Sequence, residues 1–183
     1  MKAALFVIFF AASAFAQDQA AIAAAQAACG PAGVNFDAKA DPGRHPTPQP
    51  DTGKATVYLI AELGQCPDCG RPGIDPKDVD GAVIKVGMDG RWVGASRGSS
   101  YLLVSGEPGD HHVCLNWQSS LQERSRAFAM MNFTAEAGKV YYIRARLFPG
   151  GNGDYSFDVD LVNSDEGKYL VASSPYSVSH PKK

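Results

Sequence analysis

Cys66-Pro67-Asp68-Cys69 has the two-residue spacing of a thiol redox pair or of half a zinc site. His112 and Cys114 stand two positions apart, so on a strand their side chains share a face. Cys66, Cys69, His112 and Cys114 together make a donor set of three thiolates and one imidazole, which suits a tetrahedral ion. The competing chemistry is plain oxidation. In an exported chain, cysteines serve first as a disulfide framework, and no βαβ pattern of the thioredoxin kind surrounds Cys66. Four cysteines (Cys29, Cys66, Cys69, Cys114) allow three pairings. Cys66–Cys69 would close a tight loop around Pro67 while Cys29–Cys114 tied the N-terminal segment to the core; the crossed pairings fit the sequence equally well.

His111 and His112 resemble a ligand or catalytic pair, but strand neighbours point to opposite faces and do not converge on one atom. No Gly-x-Ser-x-Gly elbow is present and no acid is placed to orient a histidine, so a hydrolase is the weakest reading and no catalytic residue is assigned. Glu107 and Asp110 flank Pro108-Gly109 and could act as acid and base, although charges around such a turn are more often solvated. Asp75, Asp78 and Asp80 could meet a hard cation, but the terminal Glu of a calcium loop is missing. The ligand-binding candidates are Trp92, Tyr101 and Tyr142. On one outward face they would form a platform for sugar rings or a partner's apolar patch, against the commoner fate of aromatics as core.

The elements that must position these groups read as strands. Thr56, Tyr58 and Ile60 alternate with Val57, Leu59 and Ala61, a run apolar on both faces and therefore central. Asp89-Gly90 is a two-residue hairpin turn that sets Met88 opposite Arg91 and Gly87 opposite Trp92, with the indole covering the strand glycine. Val113, Leu115 and Trp117 share one face of the next strand but one, as do Tyr141, Ile143, Ala145 and Leu147 of a later strand. A hairpin centred on Asn152 would set Arg146 opposite Asp158 and Arg144 opposite Asp160. Residues 119–126 are ambiguous between loop and helix, and Asn163 with Glu166 resembles a capping box whose helix Gly167 weakens.

The N-terminus reads as an export signal: Lys2, an apolar run from Ala3 to Phe15, and Ala14-Phe15-Ala16 before a cleavage at Gln17. The run stops short of the roughly 20 apolar residues of a membrane span. Gln26, three before Cys29, does not suit a lipobox. Removal of Lys2 takes the formal charge from −2 to −3. So weak a field argues against nucleic acid as a partner. The expected organisation is a signal peptide at 1–16, an arm and Pro-rich linker at 17–53, a β domain at 54–174 and a flexible tail at 175–183.

The succession Lys54-Ala55-Thr56-Val57-Tyr58, Asp89-Gly90-Arg91-Trp92-Val93-Gly94, Ser100-Tyr101, Pro108-Gly109-Asp110-His111-His112-Val113 and Gly138-Lys139-Val140-Tyr141-Tyr142 resembles a family of bacterial secreted domains of unknown function related to the PEGA-like β-sandwiches. The likeness spans Lys54 to Val162. It implies a small envelope-associated β-sandwich and brings no catalytic residues. The combined expectation is an all-β, antiparallel sandwich of about seven to eight strands, possessing at most a short C-terminal helix. It would be exported to the periplasm or beyond, need no cofactor, and meet a glycan or another envelope protein. The alternative is a metal-binding or thiol-redox protein built on Cys66 and Cys69.

Overall fold

The alternating segments become two facing sheets. The computed structural model describes residues 12–48, 51–63, 81–118, 128–149 and 155–183. In chain order the elements are α1 (Ala12–Ala27), β1 (Phe36–Asp41), β2 (Ala55–Glu62), β3 (Val83–Met88), β4 (Arg91–Arg97), β5 (Ser100–Gly106), β6 (Gly109–Trp117), β7 (Phe128–Ala135), β8 (Val140–Pro149), β9 (Tyr155–Val162), α2 (Ser164–Ser173) and β10 (Tyr176–Pro181). One sheet has six strands in the order β1-β10-β5-β2-β8-β9, the other four in the order β4-β3-β6-β7. Val57, Leu59 and Ala61 of β2 and Ile143, Ala145 and Leu147 of β8 face Ile84 and Val86 of β3 and Val113, Leu115 and Trp117 of β6. This layer is the main core, and a gap of about 10 Å3 lies within it between Leu59, Ile84, Leu115 and Ile143. That gap holds about one water at most.

Both predicted hairpin registers occur. Met88 pairs with Arg91 and Gly87 with Trp92, around Asp89 (φ 52°) and Gly90 (φ 75°) in the left-handed conformation. Arg144 pairs with Asp160 and Arg146 with Asp158. Arg144, only 14% exposed, donates to both oxygens of Asp160 at 3.2 and 2.8 Å and also to Glu166 of α2. The hydrogen bond to Asp160 outweighs burial and holds the guanidinium still more firmly charged. Arg146–Asp158, at 2.6 Å, is more open to solvent. A pair of that kind is worth roughly 0.2–1 kcal/mol.

The sandwich departs from the expectation in three respects. Among the described residues it has ten strands, and the larger sheet is mixed, because β2 runs parallel to β8 and β10 parallel to β5. Alternation assigns a side chain to a face but says nothing about which distant strand becomes the neighbour. The third departure is the tail. Instead of fraying, Tyr176–Pro181 forms β10, paired along β1 from Phe36↔Pro181 to Asp41↔Tyr176. Its inward side chains are serines that bond the neighbouring backbone. Ser177 Oγ donates to Ala95 O at 2.9 Å, and Ser179 Oγ accepts from Ala95 N at 2.9 Å. These bonds satisfy the backbone of edge strand β4 and close that corner of the sandwich. β1 likewise draws part of the expected linker into the sheet.

Asn163 caps α2 by accepting from the backbone N–H groups of Asp165 and Glu166. Leu170 then joins Tyr58, Ile60, Tyr101 and Tyr142 in a second cluster on the outer face of the larger sheet. Residues 119–127 and the hairpin end at 150–154 lie outside the described residues, as do Cys66, Cys69, Asp75, Asp78 and Asp80.

Candidate functional site

The outer face of the four-stranded sheet gathers the chemistry-bearing side chains. Strand alternation puts Asp110, His112 and Cys114 of β6 on this face, next to Thr134, Asn132 and Met130 of β7. The N-terminal arm crosses the same face. Cys29, just beyond α1, is bonded to Cys114 in a disulfide with Cα atoms 5.5 Å apart, and both residues are completely buried. Of the three possible pairings, those that cross Cys29 or Cys114 with the Cys66/Cys69 pair are thereby excluded.

The bridge needs a bare strand beneath it. A Cβ placed on Gly87 would lie 2.2 Å from the Cys29 carbonyl oxygen, so only glycine admits the arm here. The expected pairing of Trp92 with Gly87 is correct, but the cover over that glycine is the Cys29 backbone. Trp92 instead clasps the arm further along. Its indole Nε1 donates to Pro31 O at 2.8 Å, and Gly30 lies close against the ring. Lys85 Nζ sits 4.4 Å over the same ring and donates to Val34 O at 2.9 Å. Burial pushes that ammonium's pKa down. Gln118 holds the next stretch, accepting from Phe36 N at 2.6 Å and donating to Phe36 O at 2.7 Å.

The aromatic platform is therefore not assembled on one face. Trp92 belongs to the four-stranded sheet and to the arm, whereas Tyr101 and Tyr142 lie on the six-stranded sheet. Tyr101 is 1% exposed and Tyr142 is buried; Tyr58 stands between them, stacked on Tyr142 at 5.1 Å and tilted to Tyr101 at 5.9 Å. Burial raises the pKa of all three phenols. They are core, because α2 packs over Tyr142 and Tyr176 of β10 packs on Tyr101, covering the face that alternation alone leaves open.

Beside the disulfide lies an open cleft of about 510 Å3 lined by Asp89, Asp110, His111, His112, Asn132, Phe133 and Thr134. Its histidines do point to opposite faces of β6, with different consequences. The buried His111 is within 2.6 Å of Asp89 Oδ2 through Nδ1 and 2.6 Å of Glu107 O through Nε2. An acid does orient a histidine here, contrary to the expectation from sequence, because the β3–β4 turn brings Asp89 alongside β6. Two acceptors call for two N–H donors, which is the imidazolium. Burial opposes that charge, but the Glu107 carbonyl and the Asp89 carboxylate together raise the pKa. For Asp89, burial pushes upward, yet the His112 N–H, His111 and Arg91 hold the carboxyl below its ordinary value. The result is a clamp joining the β3–β4 turn to the β5–β6 turn. Its one signal in the sequence is an Asp at a hairpin corner, a residue able to accept from the strand alongside as well as to shape the turn.

The clamp makes stability depend on pH in both directions. His111 has a raised pKa, so its contribution is complete below its unfolded value near 6.5 and is lost as pH rises through the folded value. Asp89 has a lowered pKa, so its contribution is complete above about 3.8 and is lost as pH falls through the folded value. The full effect therefore spans about pH 4 to 6.5. His111→Gln should flatten the decline of the thermal midpoint above pH 6.5; an unchanged slope would assign that decline to other groups.

Glu107 and Asp110 do not combine as acid and base. Glu107 pairs with Lys54 at 2.6 Å, and Asp110 accepts from Thr134 Oγ1 at 2.6 Å. Of the expected zinc set, Cys66 and Cys69 lie outside the described residues; among the described ones, His112 Nδ1 lies 3.6 Å from Cys114 Sγ, with Cys29 as the third donor in reach. The comparisons with known proteins close the description without a kinship: no family model, no curated protein and no solved structure matches the chain.

Proposed function

We propose that this chain is an exported, non-enzymatic interaction or structural module of the bacterial envelope, meeting a glycan or another envelope protein. The observation that carries the reading is the buried Cys29–Cys114 bridge, whose partners are 85 residues apart. Such a bond persists in oxidising compartments and is rare where thiols are kept reduced. The signal-like N-terminus and the resemblance to secreted PEGA-like β-sandwiches point the same way. Further support comes from His111, whose ring nitrogens are both engaged in holding turns.

Expression of the full chain in a bacterium with an envelope tests the reading. The expected result is a chain starting at Gln17, recovered from the periplasm with Cys29 and Cys114 linked and co-sedimenting with purified peptidoglycan or with envelope protein. An unprocessed chain in the cytosol with reduced thiols would overturn it.

A further inference from the structure

We infer that Cys29, His112 and Cys114 form a site for a thiophilic d10 cation such as Zn2+ when the bridge is reduced, so that disulfide and metal exclude each other. The inference goes beyond the envelope reading and does not depend on it. The three donor atoms already lie within 4.8 Å of one another. The His112 Nδ1 to Cys114 Sγ separation is 3.6 Å. Imidazole and thiolate ligands of one tetrahedral zinc are separated by about 3.5 Å, as bond lengths of roughly 2.0 and 2.3 Å require. To take their places the two sulfurs must part to about 3.8 Å, the edge spanned by two thiolates on the same ion.

What keeps the donors together after reduction is that the bridge is only one of the arm's attachments. Pro31, Val34 and Phe36 remain bonded to Trp92, Lys85 and Gln118. Cys29 thus stays seated over Gly87, and the backbone N–H of His112 stays on Asp89 at 2.9 Å. Such holding of ligands before the ion arrives is what makes a three-ligand site bind. Solvent entering from the cleft that His112 lines would supply the fourth ligand.

The exchange balances with a dithiol as reductant. Two electrons and two protons pass from the dithiol to the Cys29–Cys114 bond, which breaks into two thiols while the dithiol closes to its own disulfide. Zn2+ then displaces both thiol protons, and the two thiolates neutralise its charge. A disulfide-donating protein runs the reverse, taking two electrons and releasing the ion.

The experiment uses the full chain with Cys66→Ser and Cys69→Ser, so that these thiols cannot bind. The chain is reduced with a phosphine and titrated with Co2+, then with Zn2+ in competition. The expected result is one Co2+ per chain with thiolate-to-cobalt absorption, displaced by Zn2+, and none in the oxidised chain. His112→Ala should weaken binding at least tenfold, yet still reoxidise to the Cys29–Cys114 bridge; this separates loss of a ligand from loss of the fold. Equal affinity with and without His112 would overturn the site. So would a reduced chain that loses its β circular dichroism and binds no cobalt, because the inference requires the arm to remain docked.

Discussion

Alanine at both Cys29 and Cys114 should lower the unfolding free energy by roughly 2–5 kcal/mol. The two cysteines are 85 residues apart, so the bridge removes a long loop's worth of freedom from the unfolded chain. Chain entropy alone puts a loop of that order near 4–5 kcal/mol. For a domain whose total stability is about 5–15 kcal/mol, this is a large share. The native arm should remain docked, since Trp92, Lys85 and Gln118 hold it independently. Denaturant unfolding of the double variant alongside the oxidised wild type checks the figure. Coincident midpoints would show that the bridge restrains nothing that matters to the unfolded ensemble.

Gly167→Ala should destabilise the protein by about 1–3 kcal/mol, although on an isolated helix the same change would stabilise by about 1 kcal/mol. The sign turns on Tyr142. A Cβ at position 167 would lie 2.1 Å from Tyr142 Cγ and 2.5 Å from its Cβ. Those atoms are the rigid root of the side chain, and the ring beyond is stacked on Tyr58 at 5.1 Å. The ring has little room to retreat, so α2 must lift and uncover Leu170. Urea unfolding, read together with near-ultraviolet tyrosine dichroism, measures both effects. A variant as stable as the wild type would mean that the helix does not sit as closely as described.

These two cases mark how far the chain is legible without its structure. The Asp89-Gly90 register, the Arg144–Asp160 and Arg146–Asp158 pairs, the inward faces of β6 and β8, and the Asn163 cap are all borne out. Each depends on residues close in sequence, or on a turn that counts positions from a known centre. Propensity marks Gly167 as a weak point because it sees the helix and not the tyrosine under it. Alternation consigns Ser177 and Ser179 to a fraying tail because it seeks apolar side chains, and here the inward positions serve hydrogen bonds.

The amino-acid order by itself determined which sides of β6 and β8 would face the main core, where the two hairpins turn and which cysteines were available to pair. Only the tertiary structure decided that Cys29 meets Cys114 beside His112, that Tyr142 lies under a helix and Tyr101 against Tyr176, and that β10 completes the larger sheet. The reason is one of range. Side-chain direction follows from the backbone within a few residues, whereas a neighbour from a distant part of the chain is chosen by the packing of the whole molecule.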